Sequence, residues 1–171
     1  MRKAVVTGAS GLLGGNLCAL LAEQGFVVHA LRRSVQSTAH LSHVPCIWHD
    51  TELQDRSALA DIFSGADVVF HCAGSVAQSR WMRHEHIEGN IRLTQTVIDA
   101  TRRGGVRRLV HCSTTVACAI ADDDRIIDED DVWNLDSLRI TDGYARSKHA
   151  AENIGTTTMH FILVELKEAK R

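Results

Sequence analysis

Apolar stretches of strand length alternate with segments of helical period from the first residues of this 171-residue chain almost to its last. No other feature constrains the fold as strongly. Parallel strands need crossovers of a dozen or more residues, and helices on both faces then cover the sheet. The class expected is α/β, a doubly wound, mostly parallel sheet. "KAVVT" reads as the first strand, and Leu12, Leu13, Leu17, Leu20 and Leu21 as the buried stripe of a following helix. "FVVHAL" is the second strand, a brief third lies around Ile47 and Trp48, and "SALADIF" is a helix. The near-continuous apolar run in "ADVVFHCAG" suits a fourth strand in the middle of a sheet. A long helix carrying Ile87, Ile91, Thr94, Val97 and Ile98 stops at Gly104 and Gly105. "RRLVHCS" is the fifth strand, Tyr144 to Ile154 a helix, and "MHFILVEL" a sixth strand. Residues 34–45 read as a loop with a short helix. The acidic residues 121–142 read as a surface excursion, of the kind that often sits at functional sites.

Length predicts a single domain over residues 1–171. A formal net charge of -2 exerts no long-range pull on nucleic acid or anionic lipid, so neither is an expected partner. No apolar run approaches the roughly 20 residues of a membrane span. The N-terminus leads straight into a strand, without the apolar stretch of a signal peptide. Cys18, Cys46, Cys72, Cys112 and Cys118 are odd in number and show no CxxC spacing, which suits reduced, mostly buried thiols and a cytoplasmic setting. No metal site is expected: His84-Glu85-His86 comes nearest, and residues two apart on a helix face different ways. The acidic runs at 122–124 and 128–131 read as a solvated loop.

Chemistry enters at "TGASGLLGG", where Gly8, Gly11 and Gly14 fall three apart as strand passes into helix. A tight turn, a close backbone approach to a diphosphate and close helix–strand packing each need a residue without a Cβ. The helix start then offers free N–H groups and a positive dipole end, and Ser10 a hydroxyl. The same glycines could instead merely relieve a crowded corner. At the end of the second strand, "HALRRS" has no carboxylate for a ribose 2′-hydroxyl, whereas Arg32 and Arg33 suit a 2′-phosphate, so NADP(H) is preferred and NAD(H) remains possible. A pair of solvated surface arginines is the alternative.

The only tyrosine, Tyr144, precedes Lys148 by four residues in "GYARSK", which puts both on one helix face. A neighbouring ammonium stabilises a phenolate and moves a phenol toward use in proton transfer. Ser113 directly follows the fifth strand, at the sheet edge where ligands bind in open α/β folds, and its hydroxyl can orient a substrate carbonyl. Thr114 and Thr115 are neighbouring candidates.

Taken together, these residues resemble the extended short-chain dehydrogenase/reductases, the NAD-dependent epimerase/dehydratase group, which have a Rossmann sheet. The resemblance covers Met1 to about Asn153, through "TGASGLLGG", "ELQDRSAL", "ADVVFHCAG", Asn90, "VRRLVHCSTT" and "GYARSKHAAE". It implies that Gly8, Ser10, Gly11, Leu12, Leu13 and Gly14 hold the cofactor, with Glu52 and Leu53 beside the adenine. It further implies that Cys72, Ala73 and Gly74 line the cofactor. Ser113, Tyr144 and Lys148 would be the catalytic group, the last two also touching the cofactor, and Asn90 would have a structural or cofactor-side role. The implied reaction is NADP(H)-dependent oxidoreduction, epimerisation or dehydration at a secondary alcohol or ketone of a small molecule.

Members of that group continue through an Arg-Pro turn into a smaller substrate-binding region. Residues 154–171 are an atypical tail without that turn, and Pro45 is the sole proline. The C-terminal substrate-binding region is therefore expected to be missing, with a non-catalytic cofactor-binding module or an inactive fragment as the alternative function. Uncovered apolar surface would favour a homodimer.

Overall fold

A computed structural model describes residues 1–33, 38–75, 83–120, 131, 133–139, 142–154 and 160–162, with the backbone alone for 83–87 and 160–162. Six parallel strands, β1 (Lys3–Thr7), β2 (Val27–Arg32), β3 (Cys46–Asp50), β4 (Val68–His71), β5 (Leu109–Cys112) and β6 (His160–Ile162), form one sheet in the order β3-β2-β1-β4-β5-β6. The helices are α1 (Leu12–Glu23), α2 (Arg56–Phe63), α3 (Arg83–Arg103) and α4 (Gly143–Ile154). The chain leaves β1 toward one edge of the sheet and, after β3, returns to β4 on the other side of β1. The connections that leave β1 and β4 therefore diverge and open a crevice beyond the carboxyl ends of the two strands.

Two apolar layers cover the sheet. Val6, Val28, Ala30 and Val110 meet Cys18 and Leu21 of α1 on one face, while Val5, Leu31 and Val69 meet Leu59, Phe63 and Val97 of α2 and α3 on the other. This is the doubly wound arrangement expected. The helix ends follow their local chemistry: Asp55 caps α2 by accepting from Ala58 N at 3.0 Å, and Gly105, with φ +68°, follows the turn that ends α3.

Details differ from the sequence reading. Only part of the leucine stripe of α1 is buried: Leu21 turns inward with Gly14, Gly15 and Cys18 and Leu17 packs beside them, whereas Leu12 and Leu20 are 76% and 53% exposed. Glycines win that face because the helix lies too close to the first turn for larger side chains. Of the five thiols only Cys18 is buried, the other four lying half-exposed near strand ends and loops. β4 is shorter than "ADVVFHCAG", ending at His71, and β3 is longer than expected. The short helix expected before β3 is a single 3-10 turn, Ala39–Leu41. Most of the acidic excursion, and all of the sixth-strand segment but His160–Ile162, lie outside the described residues.

Candidate cofactor groove and catalytic helix

The crevice between β1 and β4 begins at Gly8. Its φ of +69° suits glycine, and a Cβ there would lie 2.7 Å from Ala73 N. At Gly14 a Cβ would come within 2.2 Å of the Gly8 carbonyl oxygen, so α1 can approach the turn only with glycine at that position. Ala9 N donates to the Leu31 carbonyl at 3.2 Å, tying the turn to the end of β2. Gly11 is the N-cap of α1 and brings no side chain to cap it, which leaves the first-turn N–H groups to an anion.

From this turn a groove of about 460 Å³ extends both ways. Toward β2 and β3 its wall is made by Arg32, Arg33, Glu52 and Leu53, and toward β4 by Cys72, Ala73 and Gly74. Gly8, Ser10 and Gly11 form the middle. Among the described residues, Leu12, Leu13 and Gly14 are not part of the wall: Leu12 points to solvent and Gly14 lies buried behind the turn. A long, narrow groove with backbone amides at its centre and arginines at one end fits a dinucleotide.

Arg32 is not a free cation. Its Nε donates to Asp50 at 2.6 Å, its guanidinium bonds Thr38 Oγ1 at 2.5 Å, and it stacks over Trp48 at 5.4 Å from the ring centroid. Asp50 lies beside it because Arg32 and Asp50 are register partners on β2 and β3. The pair fixes the guanidinium at the groove wall and also offsets part of its charge.

Beyond Gly74 stands α4. Lys148 is buried and donates to the Cys112 carbonyl at 2.7 Å, and its Nζ lies 3.4 Å from where a Gly74 Cβ would be. Its ammonium is 5.9 Å from the Tyr144 ring centroid. Burial lowers the Lys148 pKa, opposed by the neighbouring Cys112, Cys72 and Glu152. The Tyr144 phenol moves up, not down as the four-residue spacing predicted. Burial is the first cause and Cys112 the second, while a hydrogen bond with Thr114 pulls the other way. The reason is geometric: the Lys148 ammonium is held by a backbone carbonyl at the end of β5.

Ser113 and Thr114 diverge. The Ser113 hydroxyl donates to the Glu152 carboxylate within α4, whereas Thr114 is the neighbour that pulls the Tyr144 pKa down. Asn90 was singled out only by resemblance, and its part is mechanical. Its Oδ1 accepts from Ser75 N at 2.8 Å and its Nδ2 donates to Ser75 O and Ser147 Oγ, both at 3.0 Å. Ser147 donates in turn to the Tyr144 carbonyl at 2.8 Å. Asn90 thus joins the end of the groove to the helix that carries Tyr144. Glu152 and Ser147 were missed because nothing in a helix sequence marks which polar residues turn inward.

Among the described residues no helix is long and apolar enough to cross a membrane, and no three metal-binding side chains converge.

Comparison with known proteins agrees with the fold. The sterol demethylase protein B of Methylococcus capsulatus is 30% identical over 87% of this chain and 44% of its own length. A 4-hydroxy-2-methyl-3-oxo-4-farnesyl-3,4-dihydroquinoline-1-oxide ketoreductase of Stigmatella aurantiaca is 32% identical over 87% of the chain and 43% of its own. The chain thus spans less than half the length of these curated relatives. A UDP-glucose-4-epimerase from Stenotrophomonas maltophila, solved with bound NAD, superposes with a TM-score of 0.79 at 19% identity, over 94% of this chain and 51% of that one. The model of the NAD dependent epimerase/dehydratase family matches residues 4–160. With nearly the whole chain inside that match, the protein belongs to the NAD-dependent epimerase/dehydratase family.

Proposed function

We propose that the chain binds NADP(H) in this groove and takes part in oxidation or reduction, or in epimerase- or dehydratase-type chemistry, at a secondary alcohol or ketone. One observation carries the reading: the Lys148 ammonium stands beside Gly74, at the end of the groove opposite Arg32 and Arg33, with the Tyr144 ring centroid 5.9 Å from it. The relatives' names point the same way, for a ketoreductase and a putative dihydroflavonol 4-reductase are among them.

When bound, the nicotinamide supplies hydride transfer. The protein's part is to hold and to move a proton. First-turn amides of α1 and the Ser10 hydroxyl receive the diphosphate, and Arg32 and Arg33 the 2′-phosphate. Tyr144 Oη gives a proton to a substrate carbonyl, or takes one from a hydroxyl, with the Lys148 ammonium standing 5.9 Å from its ring. The hydroxyl that orients the substrate oxygen is that of Ser113 or of its neighbour Thr114, and Ser113 also braces α4 through Glu152. A cytoplasmic setting and pairing with a second copy of the chain belong to the same reading.

Parallel titrations with NADPH and NADH test it. NADPH is expected to bind more tightly, and Arg32→Ala to weaken NADPH roughly tenfold more than NADH. Equal losses would remove the arginine from cofactor choice. Tyr144→Phe should abolish turnover with NADPH affinity nearly intact, and unchanged turnover would remove Tyr144 from the chemistry. A second reading is a module that holds cofactor without turnover. Binding without reaction across a panel of carbonyl compounds would select it.

A further inference from the structure

Below the floor of the groove runs a polar line that the glycine turn and the Tyr144–Lys148 pair do not use. Thr7 and His71 are register partners on β1 and β4, the strands below the crevice, and they are 0% and 1% exposed. Thr7 Oγ1 lies 2.8 Å from His71 Nδ1 and accepts from Ala73 N at 3.4 Å. On the far side of the ring, His71 Nε2 lies 3.3 Å from Thr94 Oγ1 of α3.

The hydrogens follow by elimination. Ala73 N–H points at the Thr7 oxygen, so the proton of that buried hydroxyl needs an acceptor, and among the described residues His71 Nδ1 is the one given to it. Nδ1 therefore accepts, the ring proton sits on Nε2, and Nε2–H donates to Thr94. The groups facing the ring are Thr7 from β1, Thr94 from α3, His111 from β5 at 5.2 Å between ring centroids, and the Lys148 charge from α4. Burial, then His111 and Lys148, hold the His71 pKa well below the usual histidine range.

We propose that His71 is a positioning residue for the dinucleotide, an uncharged, Nε2-protonated imidazole that sets the glycine turn against the loop after β4 and ties both to α3. The role rests on the cofactor reading above for what is positioned. Thr7 immediately precedes Gly8, so the Thr7–His71 bond fixes the spacing at which Gly8 meets Ala73. Thr94 lies one turn beyond Asn90, which holds Ser75 and Ser147. The same line thus runs from the middle of the groove, at Gly8, toward its Gly74 end.

The test uses the whole chain, with NADPH and NADH as probes. Nitrogen-15 NMR of the cofactor-free protein at neutral pH should show His71 as the Nε2–H tautomer. Thr7→Val, which keeps the shape and removes the hydroxyl, and His71→Leu should each weaken binding roughly tenfold, and the double variant no further. Thr7→Ser, which restores the hydroxyl, should bind within about threefold of the parent. His71→Asn, with an amide oxygen near the Nδ1 position, should bind better than His71→Gln, which keeps only a donor near Nε2. An Nδ1–H or charged ring, a Thr7→Val chain that binds like the parent, or additive losses would overturn the role while leaving the cofactor reading intact. A parent chain that binds neither nucleotide would overturn both.

Discussion

The two ends of the site are built from different materials. Around the glycine turn the protein works with backbone: Gly8 and Gly14 are defined by what a Cβ would strike, 2.7 Å from Ala73 N and 2.2 Å from the Gly8 carbonyl. Around Tyr144 it works with side chains, each held by the next: Asn90 by Ser75 and Ser147, Lys148 by Cys112, Ser113 by Glu152. A backbone contact forbids every residue but one. A side-chain network permits several solutions and depends on which way each group points.

That difference sets the sizes of the effects expected. Gly14→Ala should be the most damaging, because a backbone carbonyl cannot rotate away as a side chain can: a loss of about 3 kcal/mol or more is expected in urea denaturation. A near-neutral result would mean that the turn can spread, and the contrast would fail. At the other end the two neighbouring hydroxyls should separate. Thr114→Val should lower turnover about 10²-fold on any carbonyl substrate the chain accepts, and raise the tyrosinate titration midpoint, which is unambiguous with a single tyrosine. Ser113→Ala should leave that midpoint in place and act through α4 stability. The reverse pattern would assign the catalytic hydroxyl to Ser113.

Acid should strike the floor beneath both ends. Burial keeps His71 and His111 uncharged in the folded chain, His111 with its pKa pushed down to about 3, while the unfolded chain takes up protons below the ordinary 6.5. Their contribution to stability is complete above pH 6.5 and declines as the pH falls toward about 3. The slope expected is about 1.4 kcal/mol per pH unit for each histidine. Denaturation across that window should steepen accordingly, and His111→Phe should flatten it. The smallest effect is expected away from both ends, where Asp55→Ala removes the α2 cap and about 1 kcal/mol of stability with cofactor affinity unchanged.

What the sequence disclosed follows the same division. The strands, the helices on both faces of the sheet and the turn at Gly8 were legible, since apolar period and glycine spacing are written along the chain. The inward face of α1 was legible only in part: its leucines are the obvious stripe, yet close packing against the turn selects Gly14, Gly15 and Cys18. Arg32 was recognised as a cation at the groove, but its bond to Asp50 depends on register between β2 and β3, which no local pattern carries. Ser113 and Thr114 are neighbours at a strand end, where one step along the chain changes which element a hydroxyl meets. The Thr7–His71–Thr94 line joins three segments far apart in sequence, and only the packed sheet brings them together.

Within the acidic stretch, Asn134 accepts from Ile120 N at 2.9 Å and donates to Ile120 O at 2.7 Å, imitating a rung of sheet across a separation of fourteen residues. Such a clasp makes the two stems of the detour independent of what they carry. Selection, or an engineer, is then free to lengthen, shorten or recode the stretch between them, while the walls that hold Thr114 and Tyr144 keep their distance.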